Sequence, residues 1–287
     1  MSYITFTDGS ANLNRKIAEG IQILPCDYYV DDKALIYDGD LDHFDYHAYY
    51  EKLRNNSMIR TSLLNTQRFI DAFEPVLKEG NDVIYIAMAS GISGTYQAAK
   101  LAASELMEDY PDRFVHIVDS KTCGLGSGMQ AIKSAELSRQ GMTATEAASI
   151  LDEYAEHCCS YFTVDDLNFL KRTGRVSGAT ALIGTALSIK PILYGTSEAV
   201  IVSCEKVRGR KKSITALASI YKKKAINPEE NIVYISHGDC EEEANILAEK
   251  VRAAHQPKDI VICPHEPFSG AHVGPGMLGI FFYGEER

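Results

Sequence analysis

The sequence predicts an α/β protein with two α/β domains, the first built on a mostly parallel sheet flanked by helices and the second on a mixed sheet. Short apolar segments alternate with amphipathic segments from end to end, which is typical of strands joined by helices. Most apolar segments are rich in β-branched or aromatic residues and are about four to seven residues long, as buried strands are. One hairpin pattern, residues 192–204 with GTSE as its turn, indicates an antiparallel pair and therefore a different sheet in the second half.

The individual elements follow from these patterns in chain order. Strands are predicted at Ile4–Phe6, Ile21–Leu24, Val83–Met88, Val115–Val118, Tyr161–Val164, Pro191–Tyr194, Ala199–Cys204, Ile232–Ser236, Ile260–Cys263 and Gly279–Tyr283. Helices are predicted at residues 45–55, 65–79, 95–109, 126–140, 144–157, 211–225 and 241–254. Thr143 and Glu146 have the spacing of a capping box, so a helix is expected to begin there. Because the sheet type changes after the helix that ends at His157, we place the domains at residues 1–158 and 159–287.

Composition limits the classes of function. The 287 residues suit about two domains, and the 45% of apolar residues is enough for a sizeable core. The formal net charge of −10 disfavours a general nucleic-acid binder or a protein held on anionic membranes. At most transient membrane contact is therefore expected.

The expected compartment follows from the amino-terminal segment, the lengths of the apolar segments and the cysteines. The segment MSYITFTD has neither a basic leader nor a long apolar stretch, and no segment has the ~18 to 20 apolar residues of a membrane span. The seven cysteines include no C-x-x-C pair, which favours reduced thiols in a cytosol over a disulfide framework. A soluble, cytoplasmic protein is expected.

The segment ASGISGTY, residues 89–96, is the most informative part of the sequence. It lies directly between a predicted strand and a predicted helix, where free backbone N–H groups and the helix dipole favour a carboxylate or a phosphate. Ser93 and Gly94 are therefore candidate anion-binding residues. The alternative, which the pattern leaves open, is a tight turn in which Ser93 only caps the helix.

Two other polar turns, together with a histidine, are candidates for the same site. Ser10 follows the first predicted strand, and Thr61 and Ser62 precede a predicted helix. Because ligands of open α/β sheets bind at the carboxyl ends of strands, these hydroxyl groups are expected to face one crevice with Ser93. His272 lies in the glycine-rich segment GAHVGPG, where the backbone can approach a ligand closely and the imidazole can donate to a carboxylate.

Two basic segments stand out from the acidic composition. The segment KRTGR, residues 171–175, lies in a predicted loop, and RGRKK, residues 208–212, opens a predicted helix. The second segment, with Arg208, Arg210, Lys211 and Lys212, is a candidate docking patch for phosphate or an acidic protein surface. The alternative is a solvated run of charges.

Several known motifs are broken or missing. The nucleophile elbow G-x-S-x-G fails because residue 95 is Thr, and the dipeptide Gly-Lys of a P-loop does not occur. The segment GLGSGM, residues 124–129, has Met where a dinucleotide fingerprint needs its third glycine. His43 and His47 are four residues apart without a third metal ligand. No cofactor and no metal are expected.

Taken together, these segments resemble those of the DegV family, and in the same order along nearly the whole chain. The matching segments are TDGSANL at 7–13, TS at 61–62, GISGTY at 91–96, VDSK at 118–121, LKRTGRVS at 170–177, IKPIL at 189–193, EKVRGRKK at 205–212 and HVGPG at 272–276. The resemblance implies two α/β domains with a fatty acid buried between them. It also implies a bacterial, cytoplasmic, non-catalytic subunit of fatty acid kinase that serves phospholipid metabolism.

The resemblance also assigns roles to residues. It implies that Thr61, Ser62, Ser93, Gly94 and His272 bind the carboxylate of a long-chain fatty acid. It places Arg175 near the mouth of the site, and it makes the patch at 208–212 the surface that docks the ATP-binding kinase subunit. That separate subunit then phosphorylates the presented carboxylate.

Two other classes of function remain as hypotheses. The first is a serine-dependent acyl hydrolase or transferase that uses Ser93 as nucleophile and His272 as its partner. The second is a binder of small anions or sugar phosphates with a short polar pocket. The hydrolase predicts that an activated ester adds mass at Ser93, and the anion binder predicts no co-purified lipid, whereas a carrier releases intact free fatty acid on denaturation.

Overall fold

The computed structural model describes residues 2–176 and 188–287, and their strands form three sheets. The strands are β1 Tyr3–Asp8, β2 Ile21–Leu24, β3 Cys26–Val30, β4 Lys33–Tyr37, β5 Ile59–Thr61, β6 Asp82–Ala87, β7 Val115–Asp119, β8 Cys158–Thr163, β9 Ile189–Gly195, β10 Ile201–Arg208, β11 Ile232–His237, β12 Asp259–Pro264 and β13 Leu278–Tyr283. The helices of the described residues are α1 Tyr46–Arg54, α2 Thr66–Lys78, α3 Thr95–Asp109, α4 Leu125–Arg139, α5 Ala144–His157, α6 Leu167–Thr173, α7 Arg210–Lys224, α8 Glu241–Ala254 and α9 Pro267–Val273.

The first large sheet has four strands in the order β2-β1-β6-β7, and every neighbouring pair is parallel. Helices α2 and α3 contribute to the core on one of its faces, and α4 and α5 contribute to the core on the other. Strand β6 is buried along its whole length, as expected for a central parallel strand covered on both sides. The predicted parallel sheet flanked by helices is confirmed.

The second large sheet has six strands in the order β10-β9-β8-β13-β11-β12. Only β11 and β12 pair in parallel, and the other neighbours are antiparallel, so the predicted mixed sheet is confirmed. The predicted hairpin is present as β9 and β10. Helices α7 and α8 pack together on the core of this sheet. The domain boundary at residue 158 stays a prediction, although the strands of this sheet begin at Cys158.

A third sheet of three antiparallel strands, in the order β4-β3-β5, was not predicted. Its hairpin turns at Asp31 and Asp32, which both have positive φ, as a two-residue turn of type I′ requires. The usual sequence signal for that turn is Asn-Gly or Asp-Gly, and the pair Asp-Asp carries it only weakly. This sheet matters for the site because Thr61 is the last residue of β5.

The segment predicted as a loop at 171–175 and the glycine-rich segment with His272 both contribute to short helices. The segment with Lys171 and Arg172 belongs to α6, and His272 belongs to α9. Helix α9 forms despite Gly270 because Glu266 caps its first turn and Pro267 occupies the position where a missing N–H does no harm. Across residues 2–176 and 188–287, no helix is both long and apolar enough to cross a membrane.

Candidate functional site

A cavity of about 170 Å³ is enclosed by residues from both halves of the chain. The turn between β6 and α3 contributes to the lining, and so do β5, α6, β10, α9 and three connecting segments. Its polar lining consists of Thr61, Ser93, Gly94, Arg175, Ser269 and His272. The remaining wall is apolar or nearly so, with Leu63, Met88, Ile92, Cys123, Leu170, Ile201, Phe268 and Val273. Hydrogen-bonding groups and apolar side chains therefore line the same small cavity.

Thr61 and His272 meet across this cavity although they are 211 residues apart in sequence. The Thr61 Oγ1 and His272 Nε2 atoms lie 3.0 Å apart. The other ring nitrogen of His272, Nδ1, is buried and has no hydrogen-bond partner among the described residues. If Nε2 carries the proton and donates to Thr61, the hydroxyl proton of Thr61 is free to be donated to a ligand.

His272 is held in its neutral form. Burial lowers the pKa of His272 to about 4, and the nearby positive charges of Arg175 and Arg172 act in the same direction. At neutral pH the imidazole therefore offers a hydrogen bond without a positive charge. A neutral donor can orient a carboxylate without holding it as an ion pair.

The lowered pKa predicts a pH effect on stability. An unfolded chain binds a proton at His272 near pH 6.5, whereas the folded chain does so only near pH 4, so stability falls as the pH drops through this window. Between pH 6.5 and 4.5 we expect the wild type to lose about 2 kcal/mol more than His272→Gln. Urea unfolding of both proteins at the two pH values measures the difference. An identical pH dependence in the two proteins would contradict a buried neutral His272.

Ser93 lies at the start of α3, as the sequence predicts. Its Oγ lies 2.9 Å from the hydroxyl oxygen of Thr95, to which it donates, and it accepts the Thr95 N–H at 3.3 Å. Gly94 occupies the N-cap position and contributes no side-chain cap. The two residues therefore place a hydroxyl group and the free N–H end of a 15-residue helix on the cavity.

Two predicted hydroxyl groups do not reach the cavity. Ser62 does not line it, and its backbone N–H is bonded to the carbonyl of Asp27 within the small sheet. Ser10 is buried outside the cavity, and its hydroxyl group donates a hydrogen bond to the carboxylate of Asp8. The expectation that all three polar turns face one crevice is wrong, because β1 ends in a turn whose polar groups satisfy each other.

Arg175 is exposed and lines the cavity, and its place near the mouth of the site stays a prediction. Its guanidinium group donates to the backbone carbonyl of Thr173, just beyond the end of α6. Ser177, the last residue of the motif that contains Arg175, lies outside the described residues.

The basic segment at 208–212 is divided by the fold. Arg208, Lys211 and Lys212 are exposed, at the end of β10 and the start of α7. Arg210 instead turns inward and is only 16% exposed, with two hydrogen bonds to the Glu243 carboxylate at 2.9 and 2.6 Å. Asp165 lies 3.5 Å from the same guanidinium group. Arg210 therefore does not belong to an exposed docking patch, which contradicts its predicted place there.

Ser269 is a cavity residue that the sequence analysis misses. It precedes His272 by three residues, and in a helix that spacing puts both side chains on one face. Gly270 and Gly274 disfavour a helix, so the sequence pattern does not indicate this shared face.

A larger space, of about 780 Å³, opens beside α6 and holds none of the predicted carboxylate ligands. Its lining is polar and charged, and much of that charge is already paired, as in the contact between Arg54 and Asp239. No group of three or more metal-ligating side chains that suits a metal ion occurs in the described residues.

A family model described as "Uncharacterised protein, DegV family" matches residues 4–285, which is nearly the whole chain. The chain belongs to the DegV family. A DegV domain-containing protein of Clostridium perfringens is 37% identical to it, over 99% of this chain and 98% of the relative.

Solved DegV structures share the fold. A DegV family protein from Thermus thermophilus, whose structure is described in terms of fatty acid binding, has a TM-score of 0.89 and 25% identity over 99% of this chain and 100% of that one. DegV from Bacillus subtilis, described as a fatty acid binding protein, has a TM-score of 0.85 and 30% identity over 99% of this chain and 100% of that one. The DegV fold is thus shared over nearly the full length of the chain.

Proposed function

We propose that this DegV protein binds a long-chain fatty acid in the cavity and presents its carboxylate to a separate ATP-dependent kinase subunit. The observation that carries the proposal is that one cavity is lined both by hydrogen-bonding groups, with Thr61 and His272 in contact, and by many apolar side chains. That polarity matches an amphiphile with an acid head and a hydrocarbon tail. The descriptions of the related DegV structures as fatty acid binding support the same ligand class.

The head group would be held by neutral donors. Thr61 and Ser93 supply hydroxyl groups, Gly94 supplies the helix N-terminus, and neutral His272 supports Thr61. Hydrogen bonds to an ionised carboxylate contribute roughly 1.5–3 kcal/mol each, which is enough to orient the head. Arg175 at the edge adds a positive charge near the point where the carboxylate faces solvent.

The tail would supply most of the affinity. Burial of a sixteen-carbon chain at ~0.8 kcal/mol per methylene gives about 12 kcal/mol of gross transfer free energy, part of which is offset by ordering costs. The cavity of about 170 Å³ is smaller than the ~300–1,000 Å³ of typical ligand sites. A second cavity of about 10 Å³ shares Ile92, Cys123 and Ile201 with it, so separation of these apolar side chains would join the two spaces. We expect the tail to take this route.

The geometry favours presentation over catalysis by this chain. A nucleophilic Ser93 needs a base, but its hydroxyl group is paired with Thr95, while His272 Nε2 is paired with Thr61. A binding protein needs only that one carboxylate oxygen remains reachable for phosphoryl transfer. The exposed Arg208, Lys211 and Lys212 then form the docking patch that we propose for the kinase subunit.

Binding of matched ligands tests this function. Delipidated protein is titrated with palmitic acid and with its methyl ester, which has the same tail but no carboxylate. We expect the acid to bind at least about tenfold more tightly, because the ester cannot accept charge-assisted hydrogen bonds. Equal affinity for the two ligands, or no binding of either, would refute the proposed head-group site.

A further inference from the structure

A chain of buried polar groups runs directly behind the cavity wall. The Ser236 hydroxyl group lies 3.1 Å from His265 Nδ1, and His265 Nε2 lies 3.1 Å from the Ser269 hydroxyl group. Ser269 in turn is hydrogen-bonded to the Glu266 carboxyl group. All four residues are at most 6% exposed, and Ser269 also lines the cavity. The chain therefore reaches the ligand space at Ser269.

The hydrogen-bonding capacity of Ser269 is only partly used. A serine hydroxyl group donates one hydrogen bond and accepts two. When Glu266 is ionised, Ser269 donates to it and accepts from the Nε2–H of neutral His265, whose Nδ1 accepts from Ser236. One acceptor position of Ser269 then has no partner among the described residues.

The alternative protonation state also leaves one position free. Burial raises the pKa of Glu266 to about 8, so its protonated form is populated near neutral pH. A protonated Glu266 donates to Ser269, and together with His265 it fills both acceptor positions. When His265 keeps its proton on Nε2, the hydroxyl proton of Ser269 then has no partner among the described residues. When the proton is on Nδ1, Ser269 donates to Nε2 and one of its acceptor positions is free instead. In each state, one hydrogen-bonding position of Ser269 is left without a partner among the described residues.

We propose that Ser269 forms a subsite for a hydroxyl group carried by the acyl chain close to its carboxylate. A hydroxyl group can both donate and accept, so it satisfies Ser269 whichever state Glu266 is in, whereas a methylene satisfies neither state. Ser269 and His272 are three residues apart on α9, about 4.5 Å along the helix axis, which places the subsite within the first few carbons. The inference rests on the proposed function and names hydroxy fatty acids as the preferred ligand class.

A series of acids of one chain length tests the subsite. Delipidated wild-type protein is titrated with unsubstituted palmitic acid, with the 2-, 3- and 4-hydroxy acids, and with the acid that carries its hydroxyl group on the last carbon. We expect at least one of the first three to bind about tenfold more tightly than palmitic acid, and the last to show no gain. Tight binding of palmitic acid with no preference for any hydroxy acid would overturn the subsite but leave the proposed function standing. Failure of every acid to bind would overturn both.

Variants of Ser269 show whether the preference arises there. In Ser269→Ala the preference is expected to fall to within about twofold, while palmitic acid still binds. Ser269→Cys keeps a side chain of similar shape with a much weaker donor, so it gives the same readout if the alanine variant does not fold. Ser62→Ala is the control, because it removes a hydroxyl group that does not line the cavity, and the preference is expected to persist in it. A preference that persists in the alanine or cysteine variant would overturn the assignment.

Discussion

Replacement of Thr61 by valine is expected to weaken fatty-acid binding by about 10- to 100-fold and to leave the protein folded. Valine has the shape of threonine without the hydroxyl group, so the cavity keeps its volume. The variant loses the hydroxyl group that donates to the carboxylate. It also leaves His272 Nε2 without its partner, since this atom lies 3.0 Å from Thr61 Oγ1 in the wild type. Titration of delipidated protein with palmitic acid measures the change, and circular dichroism checks the fold.

The neighbouring Ser62→Ala is the control for this prediction. Ser62 is adjacent in sequence but does not line the cavity, so the affinity is expected to stay within about twofold of the wild type. Ser93→Ala should weaken binding like Thr61→Val, because it removes a second hydroxyl group from the cavity. An unchanged affinity in both Thr61→Val and Ser93→Ala would remove these residues from the head-group site.

Replacement of Arg210 by alanine is expected to lower the free energy of unfolding by about 1–3 kcal/mol, whereas Arg208→Ala changes it by less than about 0.5 kcal/mol. Arg210 is largely buried, and its loss leaves the Glu243 carboxylate without its positive partner, whereas Asp165 keeps an ion pair with Lys190 at 2.9 Å. The lower end of the range applies because those acidic side chains are themselves partly exposed. Arg208 is exposed and has no such role. Chemical denaturation of the two variants compares them directly.

A structural role of Arg210 and a docking role of the exposed basic residues are tested by different measurements. If Arg208, Lys211 and Lys212 dock a kinase subunit, their combined replacement by alanine reduces acyl-phosphate formation while palmitic acid binds as before. Equal stability of Arg210→Ala and wild type would contradict a buried role for Arg210. Full acyl-phosphate formation by the triple variant with a cognate kinase subunit would contradict the docking patch.

Local chemistry made part of the site predictable. Ser93 and Gly94 follow a buried strand and precede a helix. The strand, the turn of small residues and the helix each have a sequence pattern that spans only a few residues. Position 93 therefore lies at a helix N-terminus, as the sequence indicates. The capping box at Thr143 is present for the same reason, since both partners lie within one turn.

Long-range packing decided the rest. The sequence pointed to Ser10, Ser62 and Arg210 by their residue types. The structure pairs the side chains of Ser10 and Arg210 internally with Asp8 and Glu243, and it leaves Ser62 outside the cavity. Ser269 is not predicted as a site residue because it shares a face with His272 only when residues 267–273 form a helix. The type of a residue shows which hydrogen bonds or ion pairs its side chain can form, but it does not show which neighbour is the partner.

The amino-acid sequence by itself determined the α/β class, the two kinds of large sheet and the order of the family segments, because hydrophobic periodicity and turn chemistry act over short stretches of chain. The tertiary structure alone decided which polar groups share a cavity. Thr61 and His272 become neighbours only when a strand of the small sheet meets a short helix formed some two hundred residues later. Such a contact depends on the packing of many distant side chains, and no local pattern encodes it.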